Sequence, residues 1–302
     1  MIKLIFLGTS SGIPTKKRNL PSIFVMYKKD RMLFDCGEGT QRQLMIKKLK
    51  FVKISKIFIT HWHADHFSGL IGLIQSMELE GRKEPLYIFG PVHTKKFTEQ
   101  FISVGYFARR FDILVKEMKN EDVVDFGNYI IQSFEVKHRI PAIGYIFQEK
   151  KRINIDTKKL AKYNINKGPL IGKLKRNGFI EKDNTLIKLE DVSIAKNGRK
   201  IVYTGDTKYF PELEKYAEKA DIFICDATFD DEYSKKAYIY GHCCASIAAK
   251  IAKAVNVKKL YLTHISRRYS EENKTDKIIQ NQARQIFKKS YLARDLLEVN
   301  VR

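Results

Sequence analysis

Apolar positions along this chain come in short, β-rich bursts separated by polar turns and by stretches with helical periodicity. Residues 2–7 form a nearly continuous apolar run, the pattern of a buried strand, and the polar stretch 8–19 that follows predicts a loop. Residues 22–27 and 32–35 flank Lys28-Lys29-Asp30-Arg31 as the two arms of a hairpin. The pattern then predicts a helix over 38–48 and a buried strand over 54–60. Ser68 is placed to cap a helix that runs to Leu79, with Gly81 as its stop. A strand at 86–89, a helix at 94–103 and strands near 111–115, 129–137 and 143–148 follow. After an interruption the alternation resumes. It gives a strand at 200–204, a helix at 210–220, a strand at 221–225, a helix at 243–254, a strand at 258–263 and a last helix from about 275 to 289. Strands that alternate with helices place the chain in the α/β class.

The interruption has a character of its own. Between Glu149 and Ile180 the apolar periodicity fades and positive charge accumulates. Lys150, Lys151, Arg152, Lys158, Lys159, Lys162, Lys167, Lys173, Lys175 and Arg176 face only Glu149 and Asp156. Gly168-Pro169, Gly172 and Gly178 punctuate the stretch. Its apolar content predicts an insertion projecting from the core, with no core of its own. A solvated loop would share this composition.

Composition sharpens the picture in one respect. With 302 residues, 44% hydrophobic and 12% aromatic, the chain is globular and of one or two domains. Its formal net charge is +22, from 56 Lys and Arg against 34 Asp and Glu. Such a field favours polyanions, meaning nucleic acid or an acidic membrane face, although a basic proteome would produce the same number. The four cysteines, Cys36, Cys225, Cys243 and Cys244, form no C-x-x-C pair, and the last two are adjacent. Reduced thiols in an intracellular chain are therefore expected, rather than a disulfide framework. The N-terminal apolar run is too short for a secretion signal, and no apolar run reaches the ~18 residues of a membrane span.

The chemistry concentrates in Thr60-His61-Trp62-His63-Ala64-Asp65-His66, where a predicted strand ends and four candidate ligands fall within six residues. Imidazole and carboxylate suit Zn²⁺. His61 and His63, two apart on extended backbone, can point the same way; Asp65 and His66 lie past the bend and can face a neighbouring ion. The spacing therefore calls for two metals, and two metals need further ligands. His138, Asp206 and His264 each follow a predicted strand, and strand ends on one sheet edge are where α/β proteins gather a site. His93, before a predicted helix, reads as structural.

The His61-Trp62-His63-Ala64-Asp65-His66 block resembles the metallo-β-lactamase signature, and the chain order His138, Asp206, His264 matches the remaining motifs of that superfamily. The resemblance implies a single domain over 1–302. Its fold would be an αββα sandwich with a dinuclear zinc site at one edge, from which a flexible basic arm over 149–185 protrudes. Further stretches are similar to the RNase Z family of tRNA 3′-processing endonucleases: the basic loop Pro14-Thr15-Lys16-Lys17-Arg18-Asn19, the segment Asp35-Cys36-Gly37-Glu38-Gly39-Thr40-Gln41, and Gly168-Pro169-Leu170 within the arm. That resemblance implies a cytoplasmic homodimer with two zinc ions per subunit, acting on precursor tRNA and not on membranes. It assigns His61, His63 and His138 to one ion, Asp65, His66 and His264 to the other, and Asp206 as the bridge. Asp65 would also orient the nucleophile or take its proton. Lys16, Lys17, Arg18, Gly168, Pro169, Lys173 and Lys175 would bind the RNA.

Two motifs depart from the family pattern. Cys225-Asp226-Ala227-Thr228 stands where the family has His-Glu-Ala-Thr, and His242-Cys243-Cys244 where it has His-Ser-Thr. Asp226 would then hold His242 as general acid from one methylene further away; alternatively, it only caps a turn. Two rivals remain at this stage. One is another hydrolase of the same fold, a phosphodiesterase or thioesterase. The other is a metal-stabilised RNA-binding protein without turnover.

Overall fold

The computed structural model describes residues 1–105, 110–165, 168–269 and 276–301. Its strands assemble into two seven-stranded sheets. The first takes the order Glu298–Val301, Ile2–Gly8, Ser22–Tyr27, Asp30–Phe34, Lys56–Phe58, Leu86–Gly90, Ile113–Glu117. It is antiparallel through the hairpin, whose register pairs Ile23 with Phe34, and parallel from Lys56–Phe58 onward. The second runs Ser290–Leu292, Leu260–Thr263, Ile222–Asp226, Lys200–Tyr203, Ile143–Glu149, Tyr129–Glu135, Val123–Asp125. Here the first four strands are parallel and the others antiparallel.

The two sheets face each other over a buried aromatic layer. Phe34 and Phe58 stack at 5.2 Å on the first sheet, and Tyr145 of the second meets Phe58 edge-on at 5.4 Å. Alternation along each strand supplies a second apolar face on the outside, which helices cover. Leu44, Leu70, Leu73, Ile74 and Met77, from helices Thr40–Ile46 and Leu70–Leu79, close the outside of the first sheet. Ala245, Ala248, Ala249 and Ala252 of helix Ala245–Ala254 close the second, where small side chains let the helix approach the strands. The result is the expected αββα sandwich.

Helix Lys277–Ile286 lies where a helix over 275–289 was expected; Thr275 is outside the described residues. Strands Val123–Asp125, Ser290–Leu292 and Glu298–Val301 had no counterpart in the periodicity, because each is short and is defined by its sheet partner. All four cysteines are free and buried. No helix among the described residues is long and apolar enough to cross a membrane.

The arm corrects two expectations. Its outgoing strand Arg152–Ile155 pairs antiparallel with a return strand Ser193–Lys196, so the insertion extends beyond residue 185. It also has a core. Leu160, Ile165, Leu174, Ile180, Ile187 and Val192 are buried together beneath helices Thr157–Ala161 and Pro169–Asn177 and the hairpin Phe179–Lys182 with Thr185–Lys188. A few apolar residues spaced among lysines suffice because two short helices and a hairpin all turn their apolar side to one point. Lys167 lies outside the described residues. At the root, Glu149 and Arg199 form a buried ion pair at 2.7 Å, and Arg199 also donates to the Val301 carbonyl. Both ends of the insertion are thereby fixed to the sandwich.

Candidate metal centre

Every ligand candidate sits just beyond the end of a strand, on one edge of the sandwich. Strand Lys56–Phe58 delivers Thr60, His61 and His63, and the turn into helix Ala64–Phe67 delivers Asp65 and His66. His138 follows Tyr129–Glu135, Asp206 follows Lys200–Tyr203, and His264 follows Leu260–Thr263. Two backbone features make this convergence fit. Gly205 has φ +60°, and a Cβ there would meet the Thr60 Cβ at 2.7 Å. His264 itself takes a left-handed φ of 60°, a cost characteristic of functional positions.

The donor atoms fall into two triads. In one, His63 Nδ1 lies 3.0 Å from His61 Nε2 and 3.1 Å from His138 Nε2. In the other, His264 Nε2 lies 3.4 Å from His66 Nε2 and 3.3 Å from Asp65 Oδ2, which is 3.6 Å from His66 Nε2. Asp206 reaches both, with Oδ2 3.7 Å from His61 Nε2 and 3.2 Å from His264 Nε2, and Oδ1 3.3 Å from His66 Nε2. A tetrahedral ion with ligands at ~2.0–2.1 Å has ligand–ligand edges of about 3.3 Å. The spacing in both triads matches that edge.

In four of the five rings a contact on the far side fixes which nitrogen faces inward. His66 Nδ1 donates to Asp35 Oδ2 at 2.8 Å and His138 Nδ1 to the Gly241 carbonyl at 2.9 Å. His264 Nδ1 donates to Thr228 Oγ1 at 2.8 Å, whose hydroxyl donates in turn to Asp226. Thr60 Oγ1, bonded to Asp35, accepts from His61 Nδ1 at 3.0 Å. Tyr203 donates to Asp35 Oδ2 at 2.7 Å and completes the support of that carboxylate. Such partners set the tautomer and aim of a metal ligand.

Electrostatics agrees with a cation between the triads. Burial, reinforced by the neighbouring rings, holds His61 well below the ordinary histidine value. Burial also lowers His63 and His138. These are the neutral imidazoles that ligation requires. Burial opposes charge on His66 as well, but the Asp206, Asp35 and Asp65 carboxylates outweigh it and hold this ring well above the ordinary value. Three carboxylates around one imidazole form a negative well suited to a divalent ion. Asp206 Oδ1 is buried without a hydrogen-bond partner among the described residues, an atom left for coordination. The donor set therefore fits two zinc-like ions, with Asp206 between them.

Beside the triads, His242 Nδ1 donates to Asp226 Oδ2 at 2.8 Å. The shorter Asp side chain reaches the ring. The other Asp226 oxygen accepts from Thr228 N at 2.9 Å, so the turn-capping reading holds too. Burial disfavours charge on His242, yet Asp226 holds its pKa up at about 9. His63, Asp65, His138, Asp206, His242 and His264 line one cleft of about 690 Å³, together with Gly12, Arg139, Phe229, Lys236, Tyr240 and Arg268.

The expected RNA contacts are placed differently. Lys16 and Lys17 are exposed on the loop after the first strand. Arg18 is not available. It is 4% exposed and bonds Thr9 Oγ1, the Ala293 carbonyl and, at 2.7 Å, Asp276. Its long side chain turns inward because three acceptors converge beneath the loop, which makes it the loop's anchor. Gly168, Pro169, Lys173 and Lys175 are exposed on the arm, and none of them lines the cleft. Asp35, Thr60, Tyr203 and Thr228 were missed as orienting residues. Asp35, Thr60 and Thr228 lie in the segments singled out above, yet no spacing rule announces a support residue.

Comparison with known proteins gives a consistent result. Residues 2–168 match the family model of Anti-Pycsar protein Apyc1, and residues 190–265 that of the beta-lactamase superfamily domain. The chain is 45% identical to Ribonuclease Z of Thermococcus onnurineus over 89% of its length and 86% of the relative's. It is 39% identical to Ribonuclease Z of Methanosarcina mazei over 100% of its length and 98% of the relative's. Among solved structures it resembles the short form of human tRNase Z with a TM-score of 0.72 and 28% identity, covering 99% of both chains. With its donor triads, its fold and these relatives in agreement, the chain belongs to the ribonuclease Z family of the β-lactamase superfamily.

Proposed function

We propose that this protein is a zinc-dependent endoribonuclease that removes 3′ trailers from precursor tRNA, cutting 3′ of the discriminator nucleotide. The observation that carries the reading is the pair of donor triads sharing Asp206 next to the His242–Asp226 pair. Two zinc ions bound there would supply Lewis acidity and a nucleophile from water at neutral pH. His61, His63 and His138 would hold one ion, Asp65, His66 and His264 the other, and Asp206 both.

The chain's own residues do the rest. Asp65, whose Oδ2 accepts from the Gly12 N–H at 2.9 Å, would orient the nucleophile or take its proton. Arg268, Lys236 and Arg139 line the cleft and neutralise backbone phosphates. His242, oriented through Nδ1 by Asp226, presents Nε2 to the departing O3′ and protonates it. The products are a tRNA with a 3′-OH and a trailer with a 5′-phosphate. The arm, with its exposed lysines, grips the RNA by its phosphates and not by its bases. A cytoplasmic homodimer belongs to the same reading, on the family resemblance.

Mapping the cut on one trailer-bearing precursor, with bound zinc counted on the same preparation, tests this. A single cut leaving a 3′-OH after the discriminator nucleotide supports it. RNA binding without product, or faster turnover of a thioester, overturns it. The acid role has its own test. His242 must carry its proton, so activity that depends on it is present below its pKa and is lost as pH rises through that value. Asp226→Asn removes the charge that opposes burial. The alkaline limb of the kcat/KM profile then moves to lower pH, whereas a purely turn-capping Asp226 would leave its position unchanged.

A further inference from the structure

The helix Ser234–Tyr240 ends against the reaction centre in a fixed register. Gly241, its C-cap at φ +79°, gives its carbonyl to His138 Nδ1 at 2.9 Å, and a Cβ on Gly241 would meet that nitrogen at the same separation. The His242 N–H donates back to the Ala237 carbonyl of the helix at 2.8 Å. The last helical residue, Tyr240, is thereby held two positions from the acid, and both line the same cleft. Two aromatic side chains line that cleft. Phe229 is buried, with the Arg268 guanidinium over its ring at 5.0 Å. Tyr240 is 42% exposed, with the Arg139 guanidinium 5.8 Å and the Lys236 ammonium 5.7 Å from its ring centroid.

Reaction polarity says which nucleoside lies there. The bond that breaks joins phosphorus to O3′, and O3′ takes its proton from His242. The discriminator nucleoside carries that oxygen, so it occupies the His242 side. An unpaired nucleotide at a helix end is recognised by stacking on an exposed ring between cations.

We propose that Tyr240 is the shelf on which the base of the discriminator nucleotide stacks, with Arg139 and Lys236 placed for the phosphates on either side of it. This rests on the tRNA-processing reading above and adds to it the residue that selects the cleavage position. Any base has a face to stack, so the shelf serves every precursor, whatever base it carries at that position.

The experiment crosses two substrates with three enzymes. Precursor tRNA with its normal discriminator base, and the same RNA abasic at that one position, are cleaved by wild type, Tyr240→Ala and Tyr240→Phe. Tyr240→Ala lowers kcat/KM on the normal substrate roughly 5- to 100-fold, chiefly through KM, the range expected for one stacked base. Tyr240→Phe retains cleavage, since the ring and not the hydroxyl supports the base. Removing the base costs wild type a similar factor and costs Tyr240→Ala nothing more. Tyr240→Ala losing as much on the abasic RNA as on the normal one would overturn the shelf, as would unchanged cleavage by that variant. Wild type failing to cut the normal precursor would overturn the tRNA-processing reading and the shelf with it, so the two failures are distinguishable.

Discussion

Replacing His63 with alanine yields a folded protein that cleaves precursor tRNA at less than about 1% of the wild-type rate. Loss of a residue that merely supports a ligand typically costs about 10- to 100-fold, and His63 is a donor itself. Its Nδ1 is the point where the first triad closes, 3.0 Å from His61 and 3.1 Å from His138. The ring is only half-buried at the cleft, so its removal opens no cavity in the aromatic layer between the sheets. On the two-ion reading proposed above, the metal bound per chain should fall, and prolonged chelation of the wild type should reproduce the loss. Single-turnover cleavage, metal content and thermal unfolding on one preparation check all of this. Wild-type-like turnover by the variant, or by the chelated enzyme, would refute the assignment.

Excising residues 150–198 should abolish cleavage of precursor tRNA while sparing hydrolysis of a small aryl phosphodiester. The cut is structurally mild. Glu149 N donates to the Arg199 carbonyl at 2.9 Å at the end of an antiparallel pair, and Gln148 faces Lys200 across it. A two-residue Asn-Gly link can therefore close the strands as a hairpin. The buried Glu149–Arg199 pair survives the excision. What is lost is thirteen Lys and Arg against five Asp and Glu, together with the arm's own buried cluster. With fewer phosphates neutralised, binding to tRNA weakens and its dependence on salt flattens. Equal loss of both activities would show that the arm supports the catalytic edge and does not dock RNA.

The candidate ligands were legible in the sequence because their chemistry is uncommon. Four imidazole or carboxylate groups within six residues restrict the backbone to a turn and ask for partners. His138, Asp206 and His264 could be found by looking at the ends of β-rich runs. The residues behind them were not legible. Asp35 reaches His66 across 31 residues and Thr228 reaches His264 across 36, and nothing local marks either separation. Arg18 misled for a related reason. A basic side chain in a basic loop looks like an RNA contact, but its three acceptors come from Thr9, Ala293 and Asp276, two of them far away in sequence. The arm's cluster was missed because composition was averaged over the whole stretch, whereas burial depends on where Leu160, Leu174 and Ile187 point. The terminal strand Glu298–Val301 exists through its pairing with Ile2–Gly8, a relation that periodicity cannot contain.

The free, buried cysteines give the protein an unfolding reporter of its own. Cys36, Cys225 and Cys243 are fully enclosed, and Cys244 is nearly so. Burial pushes the Cys36 thiol up to about 12 and the Cys244 thiol to about 11. Alkylation needs an accessible thiolate, and the native fold denies both conditions. A maleimide or disulfide reagent should therefore label the native enzyme only as fast as the sandwich opens, and labelling kinetics followed by mass would measure that opening without any engineered probe.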